Sequence, residues 1–269
     1  MNLIRQLESK AREIRRAVVE LIYQAQMGHI GGSLSSTDLL TVLYYGIMNI
    51  EPKNIKDPNR DRFILSKGHS VEAYWCILAD RGFFPEEELK TFGQFGTRLI
   101  CHPNNEVPGV EMNTGSLGHG LSLGVGMALA GKRDQADYRV FVLMGDGELA
   151  EGSIWEAAMA GAHYQLDNLV GIVDRNKLQI SGTTEAVMSI EPLADKWQAF
   201  GWNVVEINGN DVQEIYDALS SVPKVPGKPT LVLANTIKGK GVSFIENQAG
   251  WHHRVPTPEE YEQALQELA

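Results

Sequence analysis

Cysteine is almost missing from this sequence: among 269 residues only Cys76 and Cys101 carry a thiol. Two are too few for a disulfide framework and lack metal-ligand spacing, so both read as inert thiols suited to a reducing compartment. Net positive charge is lacking too, since 24 Lys and Arg stand against 34 Asp and Glu, a formal charge of −10. That balance disfavours nucleic acid or an anionic membrane as the main partner, while leaving room for small anions in a local basic pocket. No apolar run reaches the length that spans a bilayer, and the N-terminus shows neither a signal-peptide apolar region nor a targeting motif. The expected location is therefore cytoplasmic, with no membrane and no nucleic-acid partner. Internal repeats and low-complexity linkers are also absent. What remains, at 43% hydrophobic residues, suffices for one large core, and one α/β domain over residues 1–269 is the expectation.

Apolar residues at Leu3, Leu7, Ile14, Val18, Leu21, Ile22 and Ala25 have the spacing of an amphipathic helix that ends near Gly28. Ser35-Ser36-Thr37-Asp38 offers a helix cap before the apolar run Leu39 to Met48, with Pro52 marking the exit. Short β-type runs then alternate with helical patterns: Arg62–Leu65, Tyr138–Met144, Asn168–Val173, Trp202–Ile207 and Thr230–Ala234. This is the order of repeated βαβ units. Near-continuous Val, Ile and Leu in the second and third runs predicts strands buried on both faces. The fold class follows as a doubly wound, mainly parallel sheet with helices on both faces. Pro223–Pro229 reads as a local loop and Gly93–Met112 as a long irregular segment of the kind that often carries function.

The unusual residues collect just after the predicted strands. Ser66-Lys67-Gly68-His69 follows the first, Gly145-Asp146-Gly147 the second, Asp174-Arg175-Asn176 the third, and Thr236 to Gly241 the last. Open parallel sheets bind ligands outside these carboxyl ends, so the loops point at one crevice. Gly145 and Gly147 allow the backbone to approach a ligand closely. Thirty residues after Asp146, Asn176 stands in the same relation to its own strand, which brings a carboxylate and an amide oxygen towards one hard cation. Two protein ligands leave an octahedral site incomplete, and Mg²⁺ fills such sites with carbonyl, water and ligand phosphate oxygens.

Gly145-Asp146-Gly147 with Asn176 resembles the motif of thiamine diphosphate enzymes. Further segments resemble transketolase: Gly28-His29-Ile30-Gly31-Gly32-Ser33, Leu65-Ser66-Lys67-Gly68-His69, Cys101-His102-Pro103, and the glycine-rich stretch Pro108 to Gly120, with His119 and His252 in the same order. The likeness runs from about residue 5 to His252 and departs from the family at His119, in place of a common glutamine, and His253, in place of a common glycine.

This resemblance implies the thiamine diphosphate-binding fold of the diphosphate-binding domain. It implies Asp146 and Asn176 as side-chain ligands of Mg²⁺ and Leu178 as the carbonyl ligand, with Ca²⁺ or Mn²⁺ able to substitute. Cofactor contacts fall on His69, Gly115, Ser116, Leu117, Gly145, Asp146, Gly147, Glu148, Asn176, Lys238 and His252. His119 either faces the cofactor or caps its helix. His29, His69, His102 and His252 line the substrate channel, where imidazole can hydrogen-bond hydroxyls and shuttle protons. Glu151 matches an interfacial glutamate, Lys238-Gly239-Lys240-Gly241 a loop closing over the cofactor, and His163, at the end of a helical stretch, stays structural.

The implied activity is transfer of a two-carbon ketol unit from a ketose phosphate, such as xylulose 5-phosphate, to an aldose phosphate, such as ribose 5-phosphate. In full-length transketolases another domain carries the glutamate that activates the aminopyrimidine. The expectation is thus a split enzyme whose C-terminal-type partner subunit carries the pyrimidine-binding domain, in a heterotetramer of two copies of each. Deoxyxylulose phosphate synthesis, transketolases specialised for unusual sugar phosphates or sulfosugars, and a non-catalytic scaffold are the rivals. Asp61 to His69 favours transketolase over the synthase, and intact ligands oppose the scaffold.

Overall fold

The computed structural model describes residues 2–269. Its sheet is built from β1 (Arg62–Leu65), β2 (Val140–Gly145), β3 (Leu169–Arg175), β6 (Asn203–Asn208) and β7 (Thr230–Asn235), in the order β1-β2-β3-β7-β6. Every neighbouring pair is parallel. A small antiparallel hairpin, β4 (Leu178–Gln179) with β5 (Gly182–Thr183), follows β3. The helices are α1 (Leu3–Ala25), α2 (Ile30–Val42), α3 (Val71–Asp80), α4 (Gly120–Arg133), α5 (Gly152–His163), α6 (Thr184–Val187), α7 (Leu193–Ala199), α8 (Val212–Ser220) and α9 (Pro258–Glu267).

Side-chain alternation explains the two layers. Phe63, Leu65, Phe141, Leu143, Val170 and Ile172 face one cluster, in which α1, α2, α3 and α8 bury Ile14, Leu34, Ile77 and Ile215. Ile64, Val140, Val142, Met144, Leu169 and Val173 face the other, against Leu121 of α4, Ile154 of α5 and Trp197 of α7. Both faces of β2 and β3 are dry, as their unbroken apolar runs predict. Each fully buried aliphatic side chain contributes about 1.5–3 kcal/mol to this core.

The expected helix start at Ser35 is wrong. The helix α2 begins at Ile30, five residues earlier in the chain, with His29 as its N-cap. Gly31 and Gly32 sit in the first turn because nothing larger fits: a Cβ there would lie 2.7 Å from the Trp251 carbonyl and 2.5 Å from Ser70 Oγ. The hydroxyls of Ser36 and Thr37 donate back to the carbonyls of Gly32 and Ser33 instead of capping amides. Sequence reading also ended the third strand too soon, because β3 runs on through Asp174 and Arg175. The helix α1, the exit before Pro52, and the irregular stretch from Gly93 to Met112 agree with expectation.

Candidate active site

Register carries the carboxyl ends of the strands to one level. Leu65 pairs with Leu143, Gly145 with Asp174, and Asp174 with Ala234. The segments that follow surround a cleft of about 430 Å³. His29, His69, His102, Gly115, Leu117, Gly145, Asp146, Gly147, Glu148, Asn176, Leu178, Lys238 and His252 all line it, as the sequence led us to expect. Ser116, His119 and Glu151 do not. His119 is the exposed N-cap residue of α4, its side chain makes no capping bond, and its Nδ1 lies 3.1 Å from the Leu117 carbonyl. Glu151 is exposed as N-cap of α5, and His163 is an exposed last residue of the same helix.

Oxygen donors make up one wall. The Asp146 carboxylate is 2% exposed and accepts the amides of Gly147 and Lys177. Burial first, then the charge of Asp174, pushes it up to about 6. Asn176 Oδ1 accepts the Leu178 amide at 3.1 Å, and its Nδ2 donates to Asp174. The Leu178 carbonyl lies 3.4 Å from Lys238 Nζ. No trio of His, Cys, Asp or Glu among the described residues is gathered to hold a metal. The available set is one carboxylate, one carboxamide and one carbonyl, all hard donors that suit Mg²⁺ when the bound ligand supplies further oxygens. Gly115 and Gly147 keep the lining open: a Cβ at Gly115 would lie 2.7 Å from the His102 ring, and one at Gly147 2.5 Å from Gln179 Oε1.

Cations and neutral imidazoles line the rest of the cleft. Lys238, only 2% exposed, is lowered to about 8 by burial and by Lys67, and its Nζ is 3.0 Å from His252 Nδ1. The rings of His69, His102, His252 and His253 lie 5.4, 6.3, 5.6 and 4.6 Å from that of His29. Burial, then the neighbouring imidazoles and lysines, lowers His29 to about 4, and burial with Lys238 takes His252 to about 3. Burial and Lys67 hold His69 well below the ordinary imidazole range. These rings therefore act as neutral hydrogen-bonding groups near neutral pH. We expect His29 and His252 ring protons, followed by NMR during acid titration, to show no ionisation near 6.5. A transition there for either ring contradicts the packing described.

Lys67, itself part of the lining, and the buried Asp174 carry a pairing that the sequence did not reveal. Lys67, 1% exposed, donates to the Gly32 carbonyl at 3.0 Å and forms an ion pair with Asp174. Asp174 also accepts from Ser35, Asn176 and Thr236. Burial works to raise Asp174, but Lys67 and these donors outweigh it and hold the carboxyl below its ordinary value. Glu148 lines the cleft, yet its carboxylate is already engaged by Ser66, Gly118 and Gly145, which lie on three separate segments. Gln179, Ile180 and Ser181 complete the rim from β4 and the turn after it.

An open parallel α/β sheet with a cleft of hard oxygens and cations at its carboxyl edge defines a class of cofactor-binding domain. Residues 7–268 match the family described as transketolase, thiamine diphosphate binding domain, and the chain belongs to that family. It is 54% identical over 263 residues to an apulose-4-phosphate transketolase subunit of Phocaeicola vulgatus, across 98% of this chain and 94% of that one. Identity is 44% to a 6-deoxy-6-sulfo-D-fructose transketolase subunit of a Clostridium species, across 97% and 96% of the two chains. The solved transketolase of Campylobacter jejuni superposes with a TM-score of 0.91 at 32% identity, covering 100% of this chain but 43% of that one. The chain thus spans less than half of the solved enzyme and nearly all of the two subunits. No helix among the described residues is long and apolar enough to cross a membrane.

Proposed function

We propose that this chain is the diphosphate- and metal-binding subunit of a two-chain transketolase. Its partner subunit carries the pyrimidine-binding domain, and two copies of each form a heterotetramer. The reaction moves a two-carbon ketol unit from a ketose with an anionic far end to an aldose phosphate. The observation that carries this reading is the meeting, in one cleft, of the segments after β1, β2, β3 and β7 with His29, His102 and His252.

Asp146, Asn176 and the Leu178 carbonyl would hold Mg²⁺, and Lys238 would face the diphosphate. Thiamine diphosphate, when bound, supplies the acidic thiazolium carbon and the electron sink. His29, His69, His102 and His252 hold sugar hydroxyls and move protons to and from them as neutral imidazoles. Glu148 keeps the surrounding loops in place through its three partners. The names of the two subunit relatives, apulose 4-phosphate and 6-deoxy-6-sulfo-D-fructose transketolases, favour a branched or sulfonated donor beside xylulose 5-phosphate.

The test is to purify the chain alone and with a C-terminal-type transketolase subunit from the same genome. Each preparation is assayed with thiamine diphosphate, Mg²⁺, ribose 5-phosphate and each of the three donors. Turnover is expected only on mixing, and the preferred donor names the substrate. Robust turnover by the lone chain refutes the two-chain reading, and silence with every donor after mixing refutes ketol transfer among these sugars.

A further inference from the structure

Glu72 belongs to none of the roles above, yet it is a fully buried carboxylate beside the cleft, with a side chain 0% exposed in the first turn of α3. It reaches across to the start of α2. Its Oε1 accepts the backbone amide of His29 at 2.8 Å, and its Oε2 accepts the Ser33 hydroxyl at 2.6 Å. An anion at that position is favoured by the free amides of the helix N-terminus. Space for it is made at Gly28, whose φ of +141° and whose missing Cβ, 2.7 Å from Glu72 Oε1 if it were present, exclude other side chains.

The imidazole of His29 completes the arrangement. Its Nδ1 is buried without a hydrogen-bond partner, and Glu72 Oε1 lies 4.0 Å from it. The ring still lines the cleft, so the edge opposite the buried Nδ1, bearing Nε2, is the one turned to a ligand. Closing about 1 Å brings Nδ1 within hydrogen-bond range of the carboxylate. Both carboxylate oxygens already accept donors, so Glu72 acts there as an acceptor. Two lone pairs facing each other in a dry site would leave both unsatisfied.

We infer that Glu72 is a positioning residue that orients His29 and fixes its tautomer, with the proton on Nδ1 and the Nε2 lone pair offered to the cleft. His29 is thereby set to accept a hydrogen bond from a substrate hydroxyl. The catalytic meaning rests on the reading of the cleft as a sugar site, but the tautomer does not. Burial pushes Glu72 up to about 7 against the pull of Ser33, the His29 amide and Lys67, so the measurement belongs in mildly alkaline buffer, where the carboxylate form prevails.

The experiment labels the full chain with ¹⁵N-histidine and records long-range proton–nitrogen correlations, with the His29 signals assigned by their loss in His29→Gln. Wild-type chain is expected to show His29 protonated at Nδ1 and bare at Nε2. In Glu72→Leu, which removes the acceptor, the predominant tautomer is expected to switch to the Nε2-protonated form. A wild-type His29 protonated at Nε2 overturns the inference with no variant needed, as does an unchanged tautomer in a folded Glu72→Leu. Either result leaves ketol transfer to be judged by the mixing assay alone.

Discussion

Thiamine diphosphate affinity in the presence of Mg²⁺ is expected to fall at least about 100-fold when Asp146 is replaced by Ala. The scale comes from outer-sphere partners of metal ligands, whose loss costs about 10–100-fold in metal affinity, so a direct ligand should cost no less. Asp146 is the one carboxylate among the three proposed ligands, the others being the Asn176 amide and the Leu178 carbonyl. Removing it takes the charged ligand from the site and leaves the Lys177 amide without its acceptor. Calorimetry on the assembled enzyme should show the loss with Mg²⁺ present and little difference from wild type without it. Equal affinity for wild type and Asp146→Ala at saturating Mg²⁺ would remove Asp146 from the metal site.

Lys67→Met is expected to lower the unfolding free energy by about 3–5 kcal/mol, the usual cost of stripping one partner from a buried ion pair. Lys67 is 1% exposed and Asp174 is fully buried, so no solvent replaces the lost ammonium. Methionine keeps most of the volume, which separates charge from cavity. Adding Asp174→Asn removes the stranded charge, and the double variant should recover part of the loss; urea midpoints for the four proteins give the coupling. Full additivity would mean that the pair contributes nothing jointly to stability.

The sheet was legible in the sequence because both faces of β2 and β3 are covered, which writes unbroken apolar runs at Val140–Met144 and Leu169–Val173. Asp146 and Asn176 were legible because equivalent positions after neighbouring strands carry matching chemistry. The start of α2 was misread since Ser35 and Ser36 look like caps, while the helix is fixed by glycines whose packing partners, Trp251 and Ser70, are remote in the chain. Lys67, Glu72 and Asp174 were given no role of their own for the same reason. A buried charge is explained only by its partner, and Lys67 and Asp174 are 107 residues apart.

Glu148 gives the site an unusual kind of unity. One carboxylate fastens the end of β1, the turn before α4 and the end of β2, so displacing any one of these stretches disturbs a group that the other two share. Such shared partners couple local opening. Substitutions that change how one of these segments sits should therefore be felt at the other two, and variation that retunes this chain for a different sugar has its freest ground at the rim, around Ile180 and Ser181, beyond the reach of that clamp.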